Sequence, residues 1–175
     1  MSKYLRVGSA IKAGLIATLT MTLFMYAGPL VGLPRMDVMG SLGNLIPGNA
    51  SPYPAGALLH FGFGATLALI YAALFARLLP GPGWARGALF SLLPWIIAIV
   101  ALPTALAYVQ SLINPATAAA ALNPCAVANP CAAVTNPCAA NATSAGSGQA
   151  AMALLSLANH LVYGVILGAL YRWRD

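Results

Sequence analysis

Residues 55–79 read AGALLHFGFGATLALIYAALFARLL, an apolar run whose single charge, Arg77, comes only in its last turn. At a rise of 1.5 Å per residue, a helix of this length exceeds the roughly 20 residues that cross a hydrocarbon core of about 30 Å. Three further stretches, about 10–32, 87–108 and 150–171, have the same character. Their apolarity is continuous rather than alternating, which argues against a β-barrel. The pattern predicts an all-α integral membrane bundle of four transmembrane helices, forming a single transmembrane domain over residues 1–175.

Composition agrees. The chain is 61% hydrophobic and 6% charged, whereas soluble domains are about 25% charged. The first apolar run is too long for the core of a signal peptide and is not followed by a convincing small-residue cleavage site before Gly28 and Pro29, so it is expected to be a retained helix. Lys3, Arg6, Lys12, Arg77, Arg86, Arg172 and Arg174 fall on one side of the four spans, and only Arg35 falls on the other. The positive-inside rule then places both termini in the cytoplasm. It also explains the formal charge of +6 as topology, and no nucleic-acid partner is expected.

The second outer loop, residues 110–149, is expected on the periplasmic side and contains NPCAVANPCAAVTNPCAAN. Its three Asn-Pro-Cys-Ala units place Cys125, Cys131 and Cys138 on turns, because Asn caps a turn and Pro presets the next φ. On an oxidising side, an odd number of thiols suggests one disulfide and a spare thiol, or a bridge or contact to a partner. A soft-metal site on the three thiolates is the weaker reading, since their spacing is not diagnostic.

Residues 56–71 superpose on residues 156–171: His60 on His160, Phe63 on Tyr163, Gly64 on Gly164, Leu67 on Leu167, Ala68 on Gly168 and Tyr71 on Tyr171. The first and third segments echo each other more faintly, through Lys12 and Gly14 against Arg86 and Gly87. A duplicated two-helix hairpin follows, with a pseudo-twofold axis along the membrane normal. Gly56, His60, Gly64, Ala68 and Ala72 recur every four residues, as do Ser156, His160, Gly164 and Gly168. Small residues at this spacing let helices approach closely where lipid provides no hydrophobic drive, so both histidines are expected to face inward.

An inward ionisable group in a membrane span is a functional-site candidate by default. Two neutral imidazoles on parallel helices are the ligand set of a haem b, which makes His60 and His160 candidate axial ligands, with Gly64, Gly164, Phe63 and Tyr163 as candidate lining. The structural alternative is that each histidine bonds a carbonyl or a neighbour such as Ser156 or Asn159 and only registers the helices. Two histidines do not close a zinc site without the distant thiols. With Asp37 and Asp175 the only acidic residues, both outside the spans, no carboxylate proton relay exists. No G-x-S-x-G, H-E-x-x-H or phosphate-loop motif occurs, and catalysis by the chain itself is not expected.

The paired H-x-x-[FY]-G motifs, Lys12-Ala-Gly, Gly28-Pro29 and Tyr171-Arg172 resemble small four-helix bacterial inner-membrane proteins of unknown function. The likeness covers all but the cysteine tract, which looks like an insertion. It implies a fold and a location in the bacterial inner membrane, and no activity. The functional expectation is a small accessory or structural subunit of a larger membrane complex, of the respiratory or photosynthetic electron-transfer kind, whose partners are the bilayer and other membrane subunits or copies of itself. The alternative is a stand-alone bis-histidine haem b protein carrying electrons. A transporter or channel is third, weakened by the absence of charge within the spans.

Overall fold

A computed structural model describes residues 6–46, 51–113 and 137–171. Among these, all regular structure is helical. Helix α1 runs Val7–Ala27 and tightens into a 3-10 turn, Gly28–Val31. A short α2, Val38–Gly43, follows. Helix α3 runs Pro52–Ile70, widens through a π turn at Tyr71–Phe75 and finishes at Ala76–Leu78. Helix α4 is Gly83–Ile113 and α5 is Pro137–Leu170.

Four stretches are long and apolar enough to span a membrane: Val7–Val31, Pro52–Leu78, Gly83–Ala101 and Ala150–Leu170. The molecule is therefore a four-helix integral membrane bundle. Among the described residues, only Gly32 and Gly81 have positive φ, 81° and 97°. Gly32 ends the 3-10 turn in the left-handed region and donates to the Pro29 carbonyl, while Gly81 makes the tight turn between α3 and α4.

Pairing follows the small residues. Gly14 of α1 sits against Gly64, Ala65 and Ala68 of α3, and a Cβ on Gly64 would collide with the Thr18 side chain. In α4 and α5, Gly87 meets Gly164 and Gly168, Gly83 meets Gly168, and Gly164 meets Ser91. Gly14 corresponds to Gly87, Thr18 to Ser91, Gly64 to Gly164 and Ala68 to Gly168. The two hairpins thus share one internal contact, as a duplication requires. Between lipid-solvated helices, dispersion at such close approach replaces the hydrophobic effect as the source of association.

The correspondence weakens between hairpins. Helix α1 packs along α5 as well as α3, whereas α4 meets the α3 segment mainly at its end, Tyr71–Leu78, beside the connecting turn. Tyr71 and Phe75 stack on Phe90 there, with ring centroids 5.3 and 5.0 Å apart, and Tyr71 meets Tyr171 edge-on at 6.1 Å. Arg86 donates to the Ala76 carbonyl at 2.9 Å, satisfying one of the acceptors left over where α3 ends.

Helix α5 extends well into the stretch 110–149 expected as loop, and α4 enters it by four residues. Helices α4 and α5 contain 31 and 34 residues, about 46 and 51 Å at 1.5 Å per residue, against a hydrocarbon core of about 30 Å. Residues 102–113 of α4, LPTALAYVQSLI, stay largely apolar, whereas residues 137–149 of α5, PCAANATSAGSGQ, are far more polar than the span that follows them. In α5, hydropathy marks where the membrane ends, not where the helix ends. Alanine-rich sequence keeps its helical propensity in water, and Pro137 takes a first position where its missing N–H costs nothing.

On the loop side, α2 is seated on the start of α3. Asp37 caps α2 by accepting from Gly40 N at 2.9 Å, and its other oxygen accepts from the Tyr53 hydroxyl at 3.0 Å. Gly43 lies against the Pro52 backbone and Gly56 against the Met39 carbonyl.

Candidate functional site

The face predicted on α3 is the buried one: Gly56, His60, Gly64 and Ala68 in the α-helix, and Ala72 in the π turn. His60 is 8% exposed, two turns in from Pro52. Its Nε2 lies 3.2 Å from Thr22 Oγ1 of α1. The Thr22 hydroxyl donates to the Thr18 carbonyl at 2.8 Å. With that proton committed, the Thr22 oxygen acts as acceptor, and the neutral His60 ring carries its hydrogen on Nε2.

His160 is held differently. Its Nδ1 lies 2.7 Å from the Ser156 carbonyl one turn back in the same helix. A carbonyl only accepts, so this ring carries its hydrogen on Nδ1 and keeps the Nε2 lone pair. The two imidazoles are opposite tautomers, and the duplication explains why. The position of Thr22 in the first hairpin falls to Trp95 in the second, and an indole N–H cannot accept. Trp95 donates instead to the Ala153 carbonyl at 3.3 Å. His160 has no threonine across the hairpin to bond and turns to its own backbone.

Tyr163 and Gly64 do come together, directly: the Tyr163 hydroxyl donates to the Gly64 carbonyl at 2.7 Å. Phe63, the other predicted lining residue, is 57% exposed and faces away from the bundle. Because α5 is flanked by both α1 and α4, it buries a wider face than α3, enough to take in Tyr163 beside Gly164. The glycines serve the close helix approach that their spacing predicts. Gly64 is covered by Thr18 and Gly164 by Gly87 and Ser91, so neither offers bare backbone to a flat macrocycle.

Asn159 carries no site prediction of its own. It is 4% exposed, and its amide donates to the Leu155 carbonyl at 2.9 Å and to Met36 Sδ at 3.7 Å. The Leu155 acceptor fixes which end is the amide nitrogen, and Oδ1 is left buried without a hydrogen-bond partner. An asparagine beside a histidine in an apolar span was the available signal.

Among the described residues, no group of three or more His, Cys, Asp or Glu side chains is placed to hold a metal ion. Cys125 and Cys131 lie outside the described residues. Cys138 falls in the first turn of α5, and its side chain lies outside them as well.

Fold and site together define a four-helix membrane protein whose interior holds a buried Thr22–His60 pair, a buried Asn159 and a half-buried His160. The chain belongs to the family of unknown function DUF6789, whose model matches residues 5–123. The match takes in His60 and ends before His160. No curated protein and no solved structure matches the chain.

Proposed function

We propose that this protein is a small accessory subunit of a larger complex in the bacterial inner membrane, with its termini in the cytoplasm and the Asn-Pro-Cys segment in the periplasm. The carrying observation is helix α5, which begins at Pro137, ahead of its apolar span Ala150–Leu170, with the more polar residues 137–149 between. A helix continued beyond the membrane forms an arm suited to docking on a neighbouring subunit. The interior supports the same reading, since small residues fill it and its hydroxyls are bonded mostly to their own helices, as Thr18 is to Gly14 and Thr22 to Thr18. An electron-transfer assembly, respiratory or photosynthetic, is the class of complex proposed.

Native electrophoresis of mildly solubilised membranes tests this. The chain, 17.9 kDa alone, is expected in a band well above its own oligomers, and replacing residues 114–149 by a short linker is expected to release it. Migration as a monomer or homo-oligomer in both forms would refute the proposal.

His160 favours a second reading, in which it acts as a single axial ligand. A histidine whose Nδ1–H is held by a carbonyl presents Nε2 in the way haem and metal ligands do. Support for a matched pair is weaker, because His60 Nε2 is engaged by Thr22. A visible band abolished by His160→Ala and retained by His60→Ala would establish single ligation; a band lost equally in both variants would overturn it.

A further inference from the structure

A groove of about 580 Å³ opens at the end of the bundle where α1 begins, lined by Arg6, Gly8, Ser9, Lys12, Ile16 and Leu170 among others. Its volume lies in the range of about 300–1,000 Å³ typical of small-ligand sites. Arg6, Ser9, Lys12 and Ile16 recur at three or four residues and form one stripe on α1, with Leu170 contributed by α5. Chemistry changes along that stripe: two cations and a hydroxyl at the top, then exposed hydrocarbon, with Ile16 49% and Leu170 45% exposed.

Three features specify the occupant. The first is charge. Asp37, the only acidic side chain among the described residues, is held at the opposite end by Gly40 and Tyr53. No carboxylate among them answers Arg6 and Lys12. The second is the helix start: the first-turn N–H groups of α1 have no acceptor within the helix, and the Arg6 side chain does not cap them. Beside them, a Cβ on Gly8 would meet nothing within 4 Å. Amides at the positive end of a helix dipole, with cations alongside, suit a phosphate.

The third is depth. Helix α1 begins at Val7, so Lys12 lies about 8 Å and Ile16 about 14 Å along its axis, at 1.5 Å per residue, with Ile16 the nearer to the membrane interior. A soluble anion would satisfy the upper half and leave the lower half bare. A phospholipid whose headgroup sits on Arg6, Ser9 and Lys12 and whose acyl chain runs over Ile16 and Leu170 covers both.

We infer that this groove is a binding site for an anionic glycerophospholipid, with the phosphate held by Arg6, Lys12 and the first turn of α1 and one acyl chain lying between α1 and α5. A zwitterionic headgroup fits less well, because its ammonium would face two cations. The site is independent of the assembly role proposed above.

The test is native mass spectrometry of the purified full-length protein titrated with phosphatidylglycerol, phosphatidylcholine or inorganic phosphate. Phosphatidylglycerol is expected to be retained at the lowest concentration. Arg6→Gln and Lys12→Gln are each expected to weaken retention about fivefold, and Arg35→Gln, at the other end, not at all. Unchanged elution of the variants in detergent shows that they remain folded. Equal retention of the two lipids, undiminished retention in the Arg6→Gln/Lys12→Gln double variant, or inorganic phosphate binding as tightly as the lipid would each overturn the inference.

Discussion

The hydroxyl of Tyr163 on α5 donates to the main-chain carbonyl of Gly64 on α3 at 2.7 Å, joining the second hairpin to the first at the glycine that also receives Thr18 of α1. Tyr163 is 3% exposed, and Phe63, its counterpart in the repeat, is 57% exposed. The aromatic of one copy therefore locks the bundle, and that of the other faces outward. Tyr163→Phe is expected to destabilise the protein by about 0.6 kcal/mol, and by no more than about 1.7, the range of side-chain hydrogen bonds measured in a membrane bundle. Phe63→Ala is expected to change stability by less than about 0.5 kcal/mol, as an outward side chain should. Reversible unfolding in mixed detergent micelles measures both, and equal effects would remove the asymmetry.

Glycine substitutions separate close packing from helix propensity. Gly164 abuts Gly87 and Ser91, while nothing lies within 4 Å of a Cβ placed on Gly62. Overpacking at the first site predicts a loss of about 1–3 kcal/mol or more for Gly164→Val. Gly62→Ala is expected to be neutral or to stabilise by up to about 1 kcal/mol, because alanine gives up less chain entropy in a helix. The same micelle titration checks the pair, and a stable Gly164→Val would show that the α4–α5 contact is looser than described.

The two histidines are expected to give different nitrogen spectra. His60 carries its hydrogen on Nε2 toward Thr22, and His160 on Nδ1 toward the Ser156 carbonyl. Long-range proton–nitrogen correlation on protein labelled at histidine distinguishes the tautomers. A matching pattern for both rings would contradict the assignment.

Thr22→Val tests the His60–Thr22 contact energetically. It strands the His60 Nε2–H in an apolar span, at a cost of about 1–3 kcal/mol for an unsatisfied buried donor. Thr20 bonds only the Ile16 carbonyl on the exposed side of α1, and Thr20→Val is expected to stay within about 0.5 kcal/mol. Equal stability of the two variants would mean that the His60–Thr22 contact contributes nothing.

Topology has its own check. A membrane-impermeant maleimide added to intact spheroplasts is expected to label reduced Cys125, Cys131 and Cys138 if their segment is periplasmic. Labelling only after membrane disruption would invert the proposed orientation.

The inward row Gly56, His60, Gly64, Ala68 and Ala72 was readable because in a helix a spacing of four puts residues on one face, and in lipid small residues mark where helices touch. The contact partners were not readable. Which residue covers Gly64 depends on how α1 lies across α3, and a repeat within α3 and α5 says nothing about Thr18 or Ser91. The start of α5 was not readable for a related reason: the hydropathy that reveals the span falls away before Ala150, while the helix itself reaches back to Pro137.

By itself the sequence determined that the chain is a membrane protein, that it has four spans and that two of them are copies, because burying charge in hydrocarbon is costly and apolar length and period are local properties of the chain. Only the tertiary structure decided what the histidines are doing. A threonine stands across from His60 and a tryptophan occupies the equivalent place in the second hairpin, so one ring donates across helices and the other back to its own. Two side chains identical in sequence thus hold their protons on opposite nitrogens, since a tautomer is set by the neighbour it meets in space.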